Sequence, residues 1–301
     1  MKRKGLISIL DLSEKEILSL LKKASVMRKK APGDLLKGKI LASCFYEPST
    51  RTRLSFEAAM IRLGGQVIGF AEASTSSSQK GESLHDAMKV IGSYADAIVL
   101  RHPLEGSARV ASEATETAVI NAGDGSNQHP SQTLLDLFSI QDSQGSLKNI
   151  HLAFVGDLKY GRTVHSLCQA CAYFDMRLYF VSPEQLTLPE EIVLFLKKQG
   201  VRFSFHRALE EVIEKADVLY MTRLQKERFD APTFEIVKDA YVLKEEMLGK
   251  AKKNLKILHP LPRVNEIDRS IDNTPYAYYF QQAENGLYVR MALLAEIIAG
   301  S

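Results

Sequence analysis

Residues 40–53, Ile40-Leu41-Ala42-Ser43-Cys44-Phe45-Tyr46-Glu47-Pro48-Ser49-Thr50-Arg51-Thr52-Arg53, place an apolar run, a polar turn and a cluster of hydroxyls and guanidiniums in immediate succession. Ile40 to Phe45 has the length and apolar content of a buried strand. The polar turn at Glu47-Pro48 breaks it. Beyond Ser49, Phe56, Ala59, Met60 and Leu63 recur at helical spacing until Gly64-Gly65 stops the pattern. A strand leading through a turn into a helix is half of a βαβ unit, and such units build parallel sheets.

The same alternation extends in both directions. Upstream, Ser13 to Lys23 is predicted helical: Ser13 and Glu16 form a capping box, and Ile17, Leu20, Leu21 and Ala24 share a face. Downstream, Gln66–Phe70, Ala97–Leu100 and Ala118–Asn121 are short apolar runs, with helical segments around Leu84–Ile91 and Ala108–Thr115 between them. The pattern restarts after the polar stretch 141–146. Strands are expected at Ile150–Val155, Arg177–Val181, Arg202–Phe205, Val218–Met221 and Lys256–Leu258. Two such series predict an α/β protein of two doubly wound parallel-sheet domains. The last segment, Ala283 to Ala299, reads as an apolar-faced helix that packs back on the first domain. The expected division is residues 1–132, completed by the C-terminal helix 285–301, and residues 133–284.

Bulk properties exclude several classes. The chain has 301 residues, 45% hydrophobic and 25% charged, the balance of a soluble globular protein. A formal net charge of +3 is too small to imply nucleic acid or a membrane surface as partner. No apolar run is long enough for a membrane span, and Asp11, Glu14 and Glu16 come too early for a signal peptide. Three cysteines do not make a disulfide framework, so a cytoplasmic location is expected. Cys168 and Cys171 form a C-x-x-C pair, but no second pair completes a zinc site. Two small apolar residues on a helix is the favoured reading.

In open parallel sheets, ligands sit at the carboxyl ends of the strands. Most chemically loaded residues follow strands here. Ser49-Thr50-Arg51-Thr52-Arg53 puts three hydroxyls and two guanidiniums at a helix N-terminus, where cations oppose the helix dipole unless an anion compensates. Arg101-His102-Pro103 and Asn127-Gln128-His129-Pro130-Ser131-Gln132 carry donors able to polarise a carbonyl oxygen, or are capped surface loops. Gly156-Asp157-Leu158-Lys159-Tyr160-Gly161-Arg162-Thr163 is a near miss of the nucleotide phosphate loop, with Arg162 where that motif needs lysine. Its guanidinium suits a carboxylate, as does that of Arg223 in Thr222-Arg223-Leu224-Gln225. In His259-Pro260-Leu261-Pro262-Arg263 two prolines fix the backbone, which either presents carbonyls to an –NH2 group or is a rigid connector. The set is rich in cations and poor in nucleophiles. No dinucleotide fingerprint, defensible Ser–His–Asp order or metal set accompanies it.

These motifs, in this order, resemble the catalytic chains of aspartate carbamoyltransferases, in the aspartate/ornithine carbamoyltransferase superfamily. The resemblance runs through Ser49–Arg53, Lys80-Gly81-Glu82, Arg101-His102-Pro103, His129–Asp136, Gly156–Thr163, Arg223-Leu224-Gln225 and His259–Arg263, nearly the whole chain. Ornithine carbamoyltransferases share the phosphate motif but carry a cysteine in the His-Cys-Leu-Pro segment, where this chain has His259-Pro260-Leu261-Pro262. That difference, with Arg162 and Arg223, points to aspartate.

The resemblance implies a carbamoyl-phosphate-binding first domain and an aspartate-binding second one. It implies the committed step of de novo pyrimidine biosynthesis, without cofactor or metal. Ser49, Thr50, Arg51 and Thr52 would hold phosphate with Arg101 beside them. Thr52, Arg101 and His129 would contact the carbamoyl carbonyl. Gln132 and the Pro260 and Leu261 carbonyls would hold its –NH2. Arg162, Arg223 and Gln225 would take aspartate. Ser76 and Lys80 would reach a neighbouring subunit's site, Lys80 touching both substrates, in a homotrimer with shared active sites. The resemblance also leaves room for a zinc-containing regulatory chain. The rival readings are an ornithine enzyme, a non-catalytic anion-binding subunit, and a nucleotide-binding protein using Gly156–Thr163.

Overall fold

The computed structural model describes residues 5–30, 33–75, 77–223 and 241–300, and these fall into two units. Residues 1–138 with 284–301 form the first unit, and residues 139–283 the second.

The first unit is built on five strands: β1 (Gly5–Leu6), β2 (Ile40–Phe45), β3 (Gln66–Phe70), β4 (Ala97–His102) and β5 (Ala118–Asp124), in the order β1-β5-β4-β2-β3. All pair in parallel. Inside the sheet, β2 and β4 are apolar on successive residues and largely buried, as strands covered on both faces must be. At the edge, β3 is half exposed. Helices α1 (Glu14–Lys29), α2 (Thr50–Arg62), α3 (Leu84–Gly92), α4 (Ser107–Ala114) and α5 (Pro130–Gln144) accompany the strands. A cluster of Ile7, Ala42, Cys44, Ala87, Met88, Ile98, Leu100, Ala108, Ala111 and Val119 joins one sheet face to α3 and α4.

Ser13 caps α1 through the expected capping box, but the helix continues six residues past Lys23 to Lys29. The short strand β1 has no counterpart in the apolar pattern, because two residues carry no period. At Gly5, φ is +114°, and a Cβ there would stand 1.8 Å from the Val119 carbonyl oxygen, so only glycine lets β1 pair this closely with β5.

The second unit repeats the plan with β6 (His151–Val155), β7 (Arg177–Val181), β8 (Arg202–His206), β9 (Val218–Met221) and β10 (Lys256–Leu258), all parallel, in the order β10-β9-β6-β7-β8. Helices α6 (Arg162–Cys171) and α7 (Glu190–Lys198) belong to it. Its core gathers Ala153, Val155, Tyr179, Val181, Leu219, Met221, Ile257 and Tyr279. Cys168 and Cys171 are buried and free on α6, and burial pushes the Cys168 thiol up, so both are packing residues.

The C-terminal helix, Tyr279–Leu294, ends in a π turn at Ala295–Ala299. From Glu284 onward it belongs to the first unit, where Lys23 of α1 pairs with Glu296 at 2.5 Å. No helix among the described residues is long and apolar enough to cross a membrane.

Each sheet has one place where the chain reverses its direction of travel. In the first it lies between β2 and β4, since β3 is laid on one side of β2 and β4 and β5 on the other. In the second it lies between β6 and β9. Diverging loops at such points leave a crevice beyond the strand ends.

Candidate active site

At the first switch point the ends of β2 and β4 are tied together: Tyr46 N–H donates to the Arg101 carbonyl at 2.8 Å. From β2 the chain passes into α2, whose N-cap is Ser49. The Ser49 hydroxyl makes no capping hydrogen bond, unlike Ser13 and Ser83 on α1 and α3. This helix start thus keeps a hydroxyl and its first-turn N–H groups for another acceptor. Thr52 is buried and Arg51 exposed in that turn. Partial burial holds the Arg51 guanidinium below its ordinary range. The two arginines of this turn differ, since Arg53 is engaged within its own helix. Arg53 Nη1 donates to Glu57 Oε1 at 3.1 Å one turn later, and Glu57 also accepts from Ser43 Oγ at 3.0 Å.

Arg101 and His102 lie within the end of β4, where an apolar-run reading stops at Leu100. The Arg101 side chain is largely buried, and its Nε stands 3.2 Å from Glu47 Oε2. Glu47, in the turn after β2, is a member of this site that motif reading passed over. Its signal was a lone acid among cations. His102 accepts a hydrogen bond from Leu104 N–H on Nδ1 at 3.1 Å, which makes it a turn former.

His129 caps α5 with its backbone: the N–H groups of Gln132 and Thr133 donate to its carbonyl at 2.9 and 3.1 Å. Its ring is buried, as is the Gln132 side chain, whose Nε2 donates to Asp136 Oδ1 at 2.9 Å. The turn that delivers His129 is organised by Asp124, also missed by sequence. This buried carboxylate accepts from Asn121 Nδ2 (2.8 Å), Asn127 Nδ2 (3.0 Å) and the N–H groups of Gln128 (3.1 Å) and Gly106 (3.0 Å). Lys80 is exposed at the end of a 3-10 turn, Ser77–Lys80. Ser76 lies outside the described residues.

At the second switch point, Gly156 follows β6 with φ +111°, and a Cβ on it would stand 2.7 Å from the Thr222 carbonyl oxygen after β9. Asp157 then turns into the loop, where Oδ1 accepts from Lys159 N–H at 3.1 Å and Tyr160 N–H at 2.9 Å. Those N–H groups are what a nucleotide phosphate loop would offer its ligand. An internal carboxylate on them works against the nucleotide reading. Gly161 caps α6, and half-buried Arg162 opens it. Arg223 is half buried directly after Thr222. Gln225 lies outside the described residues.

Past β10, the fully buried His259 organises Pro260 and Leu261. Leu261 N–H donates to His259 Nδ1 at 2.7 Å, so the ring proton is on Nε2 and is given to Glu266 Oε1 at 2.6 Å. Burial pushes the Glu266 carboxyl up, but the hydrogen bond from His259 and that from Val264 N–H outweigh it, and the net shift is down. This pair holds Leu261 at φ +56°, a left-handed conformation that branched side chains rarely adopt. Arg263 is taken by Asp272 and Tyr279.

In the first unit Ser49, Thr50, Arg51 and Thr52 follow β2 and Arg101 lies at the end of β4, the two strands of the switch point, and His129 and Gln132 follow β5, the strand next to β4. In the second, Arg162 follows β6 and Arg223 follows β9 at its own switch point, and Pro260 and Leu261 lie in the segment after β10, the strand next to β9. No group of three or more His, Cys, Asp or Glu suited to a metal occurs among the described residues.

Residues 4–142 match the family model for the carbamoyl-phosphate-binding domain of aspartate/ornithine carbamoyltransferases, and residues 148–297 that for the Asp/Orn-binding domain. An aspartate carbamoyltransferase catalytic subunit of Chromobacterium violaceum is 54% identical over 298 residues, covering 99% of each chain. The catalytic subunit of M. jannaschii aspartate transcarbamoylase superposes with a TM-score of 0.91 at 52% identity, covering 99% of both chains. The aspartate transcarbamoylase of Trypanosoma cruzi, in complex with N-(phosphonacetyl)-L-aspartic acid, superposes with a TM-score of 0.93 at 38% identity, covering 99% of this chain and 96% of that one.

Proposed function

The chain belongs to the aspartate/ornithine carbamoyltransferase family, and from that premise we infer that it moves the carbamoyl group of carbamoyl phosphate to the amine of L-aspartate. The products are N-carbamoyl-L-aspartate and phosphate, in the committed step of pyrimidine biosynthesis. The observation that supports this reading is that each unit carries its own set of anion-binding groups, of two different kinds. One is a helix N-terminus with uncommitted hydroxyl and N–H donors beside Arg51 and Arg101. The other is a pair of half-buried arginines.

The residue roles are part of the proposal. Ser49, Thr50, Arg51, Thr52 and Arg101 hold the phosphate, joined by Lys80 and Ser76 of a neighbouring subunit in a homotrimer. Thr52, Arg101 and His129 donate to the carbamoyl oxygen. Gln132 and the Pro260 and Leu261 carbonyls accept from the carbamoyl –NH2. Arg162, Arg223 and Gln225, with Lys80, hold aspartate. The aspartate amine, unprotonated, attacks the carbamoyl carbon. Negative charge collects on the carbonyl oxygen, where the three donors stabilise it. The C–O bond to phosphate then breaks, phosphate leaves with the electron pair, and the amine proton passes to it. No side chain is needed as a nucleophile, in keeping with a site made of donors. Much of the rate comes from holding two anions in reacting geometry. The three cysteines, all free and buried, support a cytoplasmic protein. A regulatory chain is a further partner open to test.

Aspartate and ornithine offered together with labelled carbamoyl phosphate, without other chains and with a chelator present, test the reading. Carbamoyl aspartate is the expected product. Predominant carbamoyl ornithine, or none of either, would overturn it.

A further inference from the structure

Gln132 sits in the first turn of α5, and one turn later Asp136 is fully buried and accepts its Nε2 hydrogen bond at 2.9 Å. Arg290, on the C-terminal helix, is 3% exposed, with its guanidinium 5.0 Å from the centre of the Phe56 ring on α2. Burial pushes this guanidinium down to about 10, and the charge of Asp136 pulls the other way. Gly286 leaves the room: a Cβ there would stand 2.4 Å from Arg290 Nη1 and 3.1 Å from Leu135 Cδ2. Three helices of the first unit thus enclose one arginine and one carboxylate. Well-packed apolar residues often stabilise such a place equally well, so stability alone does not account for the pair.

The orientation of Gln132 does. The two ends of a side-chain amide are alike in shape and opposite in hydrogen bonding, whereas a carboxylate only accepts. Asp136 Oδ1 accepts from Gln132 Nε2, so the –NH2 end of Gln132 points to it and Oε1 is turned the other way. The positive charge of the buried Arg290 favours the carboxylate form, which only accepts. We propose that Arg290 and Asp136 are positioning residues that lock the Gln132 amide with its carbonyl toward the substrate, and so select a carbamoyl phosphate over an acyl phosphate. A flipped amide would set –NH2 against –NH2. The inference rests on Gln132 being a ligand of the carbamoyl group, as read above. It also gives the return of the C-terminal helix to the first unit a chemical purpose.

The test compares the KM for carbamoyl phosphate with inhibition by acetyl phosphate, which has a methyl group in place of –NH2. In an Asp136→Leu/Arg290→Met double variant both charges go and volume is nearly kept, so no lone charge is buried. The KM for carbamoyl phosphate should rise about tenfold, the worth of one hydrogen bond, while acetyl phosphate inhibits as before. In a Gln132→Met background the same pair of changes should add nothing. Asp136→Asn, which lets the Gln132 amide face either way, should also narrow the discrimination and serves if the double variant does not fold. Equal weakening of both ligands, or intact discrimination in the folded variants, overturns the proposal. If Gln132→Met itself keeps the discrimination, the role of Gln132 falls and the relay with it. If Gln132→Met loses discrimination and the pair variants keep it, the relay alone falls.

Discussion

Arg51→Ala is expected to lower kcat by on the order of 10²–10³ while leaving the protein folded. Arg51 is exposed in the first turn of α2, so truncating it buries no uncompensated group. A cation there opposes the helix dipole, and its loss should if anything favour the isolated helix. Activity and stability therefore separate at this position. Arg53→Ala is the control two residues away, since it breaks a partly exposed pair with Glu57 and leaves the anion site intact. Turnover with carbamoyl phosphate and a thermal melt on each variant make the measurement. A near-normal kcat for Arg51→Ala would remove this arginine from the mechanism.

The second large effect is a recovery. Lys80→Ala and Arg51→Ala chains should each be nearly inactive alone and active once mixed through dissociation and reassembly. Lys80 is exposed at the end of its turn, where it is accessible to another copy of the chain. If each site takes Arg51 from one subunit and Lys80 from the next, an equal mixture restores roughly one site in four in a cyclic assembly. The recovered rate should approach a quarter of the unmodified rate. No recovery in oligomers shown to be mixed would place each site within a single subunit.

The strand–helix alternation was readable because parallel strands covered on both faces are continuous apolar runs. Nine of the ten strands described lie within a few residues of where those runs fall. The tenth, Gly5–Leu6, is too short to carry a pattern and depends on a close backbone approach to β5. Strand ends were less legible. Arg101 and His102 continue β4, but their polarity ends the apolar signal at Leu100.

At the sites, motif reading picks out cations, hydroxyls and helix starts by residue type, and it missed residues whose role is set by other residues. Glu47, Asp124, Glu266 and Arg290 act through partners distant in sequence or through backbone N–H groups, and a single sequence shows no such pairing. It also credited Arg53 to the anion site, because the Arg53–Glu57 spacing reads equally as a helix-face ion pair.

The proposed transfer requires the cationic groups of the first unit and those of the second to serve one pair of reactants. N-(phosphonacetyl)-L-aspartic acid carries both anionic ends in one molecule, and its binding can be titrated calorimetrically. Arg51→Ala and Arg162→Ala should each weaken it by about a hundredfold or more, whereas phosphate alone should weaken only with Arg51→Ala and succinate only with Arg162→Ala. Undiminished binding of the two-ended ligand to either variant, in a folded protein, would contradict the claim.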